Sequence, residues 1–329
     1  MKRPVVQIAL RILVTALTLA WFIRGLHPES LPDRMAAVRW AMVIPAFLVN
    51  SLWVLPSAMR WRGIAALAGY HLRFRDAVRF FLVGSFFNAF LPTGHGGDVV
   101  RGVLASRKTG HPAGGMLGTI LAERLIGMAV SASFVAFGGL AFRADSRVPP
   151  NVWFSAAVLL CGMAAAAALL VSRRFRSVLK SGLRIVPSAA FHDGARQAGR
   201  VLDACRRKPG ALAGAVGWSA ANQLVPILSG WMLTFAIPGL ETPFRAFMVV
   251  MPLSFVSVLL PSIGGYGVRE AGFILFLGWF GVAAGPAAVF GMVRLLFLWM
   301  FALAGAGVYI SGWHARERAS VRSAIKRRT

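Results

Sequence analysis

Apolar residues run along this chain in long blocks, with the polar residues gathered between them. Six blocks, at about 5–24, 38–58, 113–141, 150–172, 211–237 and 285–312, are long enough to cross about 30 Å of hydrocarbon as helices. Two further apolar regions, 77–108 and 243–282, are broken in the middle by proline and paired glycines. A helix reaching Pro92 or Pro261 stops at or just before it, because proline disfavours the helical conformation of the residue ahead of it. The glycines that follow permit backbone shapes a helix does not hold. The pattern predicts an all-α polytopic membrane protein with about six full transmembrane helices and two broken-helix hairpins. The first block has a basic start, like a secretory signal, but Arg11 interrupts it and no A-x-A-like site follows. It is expected to be a retained helix.

The two broken regions repeat one another. "SFFNAFLPTGHGGDVVRG" at 85–102 aligns with "SFVSVLLPSIGGYGVREA" at 254–271. Pro92 and Pro261 each lie seven residues after a serine, and Arg101 and Arg269 each lie four residues after the second glycine of a pair. An Arg-Leu pair inside a later apolar block follows each copy, at Arg124 and Arg294. The repeat halves are about 38–141 and 211–312, joined by a basic connector at 173–210, within one membrane domain of residues 1–315 followed by a basic tail at 316–329.

Charge sets the expected orientation. The chain of 329 residues is 57% hydrophobic and 14% charged, with a net charge of +25. A soluble domain carries about 25% charged residues. The basic residues flank the blocks: Lys2 and Arg3, then Arg60, Arg62, Arg73 and Arg75, then Arg107 and Lys108, the connector, and the tail "ARERASVRSAIKRRT". The positive-inside rule predicts that these lie in the cytoplasm, with both termini there. No separate basic domain is present to bind nucleic acid. The connector reads either as amphipathic helices on the inner surface, with Val178, Leu179, Leu183, Ile185 and Val186 facing lipid, or as a solvated basic link. With both termini inside, the first broken region enters and leaves on the cytoplasmic side and the second on the outer side. They are therefore expected to be two re-entrant hairpins related as an inverted repeat.

The chemistry expected of such hairpins concerns anions. A helix restarting after Gly97 or Gly265 points unpartnered N–H groups into the protein, and these suit a phosphate. Arg101 and Arg269, one turn on, suit a bidentate grip on it. Glu123, Arg124 and Arg294 lie deep in apolar blocks, where an isolated charge costs at least ~2.5–3.5 kcal/mol on insertion scales. They are expected to have partners, with Glu123 paired to Arg101 or Arg269; the other reading is structural glue between helices. The candidate head-group site comprises Asn88, Gly96, Gly97, Asp98, Arg101, Glu123, Arg124, Gly264, Gly265, Arg269, Glu270 and Arg294, with Pro92 and Pro261 as structural breaks. Asp98 also suits a plain helix start. His95 reads as an incidental loop residue, and Asn50, Asn222 and Gln223 as interhelical hydrogen-bonding groups. The six histidines show no metal-ligand spacing, and Cys161 and Cys205 fall in different environments. No nucleotide-binding or hydrolase motif occurs, so neither a cofactor nor catalysis is expected.

"NAFLPTGHGGDVVRG", with "AERLIG" at 122–127, resembles the signature of the flippase-like membrane family. "LPSIGGYGVREAG" resembles that family's second motif. The family includes the transmembrane region of bacterial lysylphosphatidylglycerol synthase/flippase and many standalone proteins. The likeness covers roughly residues 5–315. It implies a helical membrane protein that moves, or helps move, a phospholipid or a polyprenyl- or sugar-linked lipid between leaflets. Its motif residues map onto Asn88, Pro92, Gly96, Gly97, Asp98, Arg101, Glu123, Arg124, Pro261, Gly264, Gly265, Arg269 and Glu270. The chain ends soon after its last block, so a lysine-transferring domain is not expected. The first expectation is translocation of an anionic or phosphate-bearing lipid. The alternatives are a non-transporting partner of a lipid-modifying enzyme, or a membrane enzyme acting on a lipid-linked substrate.

Overall fold

The computed structural model describes residues 31–91, 96–142, 196–201, 207–257 and 265–326, with residues 13, 16, 150, 154, 203 and 204 singly, and side chains of the last helix as far as Gly312. Among these residues the fold is helical, without strands. A short α1 (Leu31–Ala36) precedes α2 (Trp40–Ser51) and α3 (Val54–Leu67), which read together as one span with a break at Leu52–Trp53. Then come α4 (Phe74–Phe90), α5 (Gly96–Thr109), α6 (Ala113–Leu140), α7 (Pro209–Met232), α8 (Phe244–Ser257), α9 (Val268–Gly278) and α10 (Ala284–Lys326).

Four stretches are long and apolar enough to cross a membrane: Trp40–Leu67, Ala113–Leu140, Pro209–Phe235 and Ala284–Gly312. They correspond to four of the six expected blocks; 5–24 and 150–172 lie outside the described residues, as do Val178, Leu179, Leu183, Ile185 and Val186 of the connector. The 38–58 block is longer than expected, because helix resumes at Val54 and runs to Leu67. Large apolar side chains, including Ile44, Leu48, Phe137, Leu140, Leu303 and Ile310, point outward. A helical bundle surrounded by lipid has that outer surface, since its backbone polar groups are satisfied inside each helix.

Each broken region carries a helix on either side of a stretch outside the described residues, 92–95 in the first and 258–264 in the second. In the first, α4 ends at Phe90 and Leu91 is extended, with φ −79 and ψ 138, as expected of a residue before proline. The arms run antiparallel. At the base Lys108 Nζ meets Asp76 Oδ1 at 2.5 Å. Near the tip Gly97 N–H donates to Asn88 Oδ1 at 2.7 Å. Gly84 and Gly97 let the arms touch backbone to backbone, and a Cβ on Gly97 has no room beside the Gly84 carbonyl. In the second region, α8 and α9 pair in the same sense. Arg245, at the start of α8, donates to the Ala141 carbonyl at 2.9 Å and stacks on Phe142. Phe280, just past α9, meets Phe142 with ring centroids 4.9 Å apart.

The base of the first hairpin therefore lies where α6 begins, three residues before Ala113, and the base of the second lies where α6 ends. At 28 residues, α6 is about 42 Å long. Each hairpin's first arm packs against the long span of the other half. On α6, a Cβ at Gly138 would lie 2.9 Å from Met248 Cβ of α8. On α10, Gly305 abuts the Leu82 carbonyl of α4 and leaves no space for a Cβ. Small residues at such crossings are how membrane helices approach closely. The tips meet on one side chain: Trp299, midway along Ala284–Gly312, packs on Phe90 at 5.5 Å and on Tyr266 at 6.2 Å between centroids.

Candidate functional site

The buried charges form two groups. The first is an alternating row contributed by α3, α5 and α6. Arg60 Nη2 lies 2.5 Å from Glu123 Oε1, and Glu123 Oε2 lies 2.9 Å from Arg101 Nη2. Arg101 Nη2 is 3.3 Å from Asp98 Oδ1, and Asp98 Oδ2 accepts from Arg124 Nε at 2.8 Å. Glu123 does pair with Arg101, and Arg124, its sequence neighbour, turns to a different carboxylate. Glu123 and Arg101 are each 1% exposed. Stripping two ions of water costs several kcal/mol each, so only close pairing makes such burial tolerable.

Aromatic rings hold Arg101 in addition. Its guanidinium carbon lies 4.0 Å from the Phe81 centroid and 4.7 Å from that of Trp61. Trp61 is fixed by its indole N–H donating to Thr119 Oγ1 at 3.1 Å. Arg101 was expected to be open to a phosphate; it is instead enclosed by a carboxylate pair and two rings. Its Nε and Nη1 are buried with no hydrogen-bond partner among the described residues.

The second group gathers on α9 and α10 with help from α2 and α7. Arg294 Nη1 donates to Asn50 Oδ1 at 2.7 Å and lies 3.3 Å from Ser229 Oγ. A Cβ on Gly291, three residues before Arg294, would lie 3.6 Å from Glu270, so α9 and α10 meet here. Arg269 Nε is 3.5 Å from Glu270 Oε1, while Glu270 Oε2 accepts from Gly267 N–H at 2.8 Å. Three buried atoms, Arg269 Nη2, Glu270 Oε1 and Tyr266 OH, have no hydrogen-bond partner among the described residues.

The second helix restarts later than expected. The expectation was a start after Gly265; α9 begins at Val268. Gly265 and Gly267 have φ 78 and φ 76, in the left-handed region, and hold the turn open around Tyr266. The one-turn spacing survives, because Arg269 N–H bonds the Gly265 carbonyl at 3.2 Å. Side chains already answer one N–H at each helix start: Asn88 takes that of Gly97, and Glu270 that of Gly267. Positive charge in both groups is therefore carried by guanidinium groups more than by helix N-termini. Pro92, His95, Pro261 and Gly264 lie outside the described residues. Gly96 and Gly97 are buried in the first turn of α5.

The two groups are spaced along one helix. On α7, Ser219 Oγ lies 3.5 Å from Arg60 Nη1, and Ser229, ten residues on, reaches Arg294. That spacing is about 15 Å along the helix axis. Between them Asn222 accepts from Ser57 at 2.7 Å, and Gln223 donates to Ser131, so α7 presents a polar stripe between apolar helices. These contacts match the expected role of Asn50, Asn222 and Gln223.

Arg60 is the main residue that sequence reasoning misplaced. It was counted among the cytoplasmic flank, yet it is 7% exposed and holds Glu123. A signal was present: Ser57, Ala58, Trp61, Ile64 and Ala65 form a helical inward face, and Arg60 lies within it. Among the described residues, no three His, Cys, Asp or Glu side chains gather as a metal site. Residues 8–305 match the protein family described as Lysylphosphatidylglycerol synthase TM region. No curated protein matches the chain.

Proposed function

We propose a function from one premise: the chain belongs to the lysylphosphatidylglycerol synthase transmembrane-region family, and it is a helical membrane protein of a lipid-handling kind. In our reading it is a translocase for a phosphate-bearing or otherwise anionic lipid, sited in the bacterial inner membrane. The observation that carries this reading is the meeting of two hairpins at Trp299 from opposite ends of α6. The hairpins are then re-entrant, one from the cytoplasmic face and one from the outer face, as halves of an inverted repeat. Basic flanks support an inside position for the start of α6 and for both termini.

The head group passes the hairpin tips while the acyl chains stay in the bilayer. Arg269 and Arg294 supply its countercharge, and Tyr266 a hydroxyl. The row from Arg60 to Arg124 holds the first hairpin to α3 and α6, so the second half can rock against a fixed one. Binding at the midplane with alternating exposure needs no nucleotide site. The test is lipid scrambling by purified protein in proteoliposomes. Arg269→Gln is expected to lower the rate by at least about tenfold, the order expected for loss of a charge-assisted contact in low dielectric, while elution and thermal unfolding stay those of the parent. Unchanged scrambling in that variant would falsify the arrangement. Scrambling no faster than empty liposomes for the parent chain would instead favour a non-transporting partner of a lipid-modifying enzyme.

A further inference from the structure

Away from the hairpin tips, a cleft of about 350 Å³ opens between α3 and the first turns of α7. Arg60, Arg62, Gly63, His71, Gly214 and Trp218 are among its walls, and none of its described lining residues is acidic. Arg60 forms its inner wall. One guanidinium nitrogen of Arg60 is taken by Glu123, but its Nε is buried with no hydrogen-bond partner among the described residues. Arg62 is held at the rim, where its Nε donates to the Leu72 carbonyl at 3.0 Å. Gly63 and Gly214 face open space, with nothing within 4 Å of an added Cβ. Trp218, in the cleft wall, exposes apolar surface, and Leu212 and Val216 do so on another side of α7.

We infer that this cleft is a lateral portal where an inner-leaflet phospholipid first docks, its phosphate against Arg60 and Arg62 and one chain along Trp218. The inference deepens the translocase reading and rests on its orientation. Two features select the ligand. The cations call for an anion. Trp218, 39% exposed in the cleft wall on a span that is mostly unburied, calls for a molecule with a hydrocarbon tail rather than free phosphate. The volume is in the range of small-ligand sites. Docking there brings a phosphate against the partner of Glu123, so the incoming lipid competes for the ion pair that anchors the first hairpin. The portal and the charge row are thereby one device.

The test uses the full chain in nanodiscs containing trace phosphatidylglycerol with a photoactivatable group near its glycerol, or the matching phosphatidylcholine probe. Labelled peptides are mapped by mass spectrometry. The expected result is labelling of 59–66 and 211–218 by the phosphatidylglycerol probe, about tenfold above the phosphatidylcholine one, the low end for one charged hydrogen bond. Arg62→Gln is expected to reduce that preference. Gly214→Leu, which has space for its side chain, is expected to remove the labelling and to slow scrambling without changing thermal unfolding. Excess inorganic phosphate should leave the labelling in place; competition by phosphate would overturn a lipid site. Equal labelling by both probes, or none because another part of the chain covers the cleft, would also overturn it. The two proposals fail separately. Normal scrambling with an unlabelled, filled cleft removes the portal alone, whereas head-group-selective labelling in a chain that scrambles nothing removes the translocase alone.

Discussion

The two hairpins begin from nearly the same string of residues and end with their charges paired differently. In the first, both carboxylates use both oxygens: Glu123 on Arg60 and Arg101, Asp98 on Arg101 and Arg124. In the second, the one carboxylate spends an oxygen on its own helix start and faces Arg269 Nε at 3.5 Å with the other, while three buried atoms in each group have no hydrogen-bond partner among the described residues. Two substitutions within the repeat produce the difference. Tyr266 stands where the first copy has Asp98, which removes the acid that would hold the following Arg294 as Asp98 holds Arg124. An added left-handed glycine, Gly267, delays the helix to Val268. Each group keeps one more cation than acid; they differ in that the first group's two carboxylates serve only as ion-pair partners, whereas the second group's single carboxylate also caps its own helix.

The buried glutamates test that contrast most severely. Glu123→Gln leaves Arg60 and Arg101 buried without their counter-ion, and removing one partner from a buried ion pair costs about 3–5 kcal/mol. Glu270→Gln also removes a counter-ion, but the pair is longer at 3.5 Å, Arg269 is 20% exposed and glutamine keeps an oxygen for Gly267 N–H, so the cost should be smaller, about 1–2 kcal/mol. Thermal unfolding in a fixed detergent reads both, and scrambling should fall in Glu270→Gln despite its intact fold. Equal destabilisation of the two would erase the distinction between the groups. The glycines sharpen it next. Gly97→Ala forces a methyl against the Gly84 carbonyl, and overpacking of this kind costs about 1–3 kcal/mol. The same measurement should show no loss for Gly63→Ala, which has open space around it.

The hairpins were legible in the sequence because their signals are local. Proline stops a helix one residue earlier, as at Leu91, and a repeated Pro-Gly-Gly-Arg spacing is visible without any fold. Depth within an apolar block was legible too, so Glu123, Arg124 and Arg294 could be assigned partners in advance. Glu123 met one of its two expected partners, Arg101; what was not legible was that Arg124 turns to Asp98 and Arg294 to Asn50, because that depends on packing across elements. Arg60 looked like a flanking charge, since charge counting sees an arginine near the end of a block and not the inward face it lies on. The delayed start of α9 depended on two glycines adopting positive φ, a choice made by tertiary contacts around Tyr266. The closing of Arg101 between Trp61 and Phe81 likewise joins residues from three helices, and no spacing within one helix announces it.

The hairpin bases carry the comparison to its smallest effects. Arg245, at the second base, donates to the terminal carbonyl region of α6 and stacks on Phe142 at 4.2 Å. Its replacement by alanine should cost about 1–2 kcal/mol, from a charge at a helix C-terminus and a cation–π contact. Lys108, at the first base, pairs with Asp76 where its own side chain is 42% exposed. An exposed pair is worth about 0.2–1 kcal/mol and is screened by salt. Lys108→Ala should therefore lower stability slightly at low ionic strength and hardly at all in high salt, whereas the loss in Arg245→Ala should persist, because ring and carbonyl contacts at close range are screened far less. Chemical unfolding of each variant with urea, at two salt concentrations, separates the cases. If the Lys108 loss persisted in high salt, the first base would be held by something other than a surface ion pair, and the charge row around Glu123 would no longer account for that hairpin's attachment by itself.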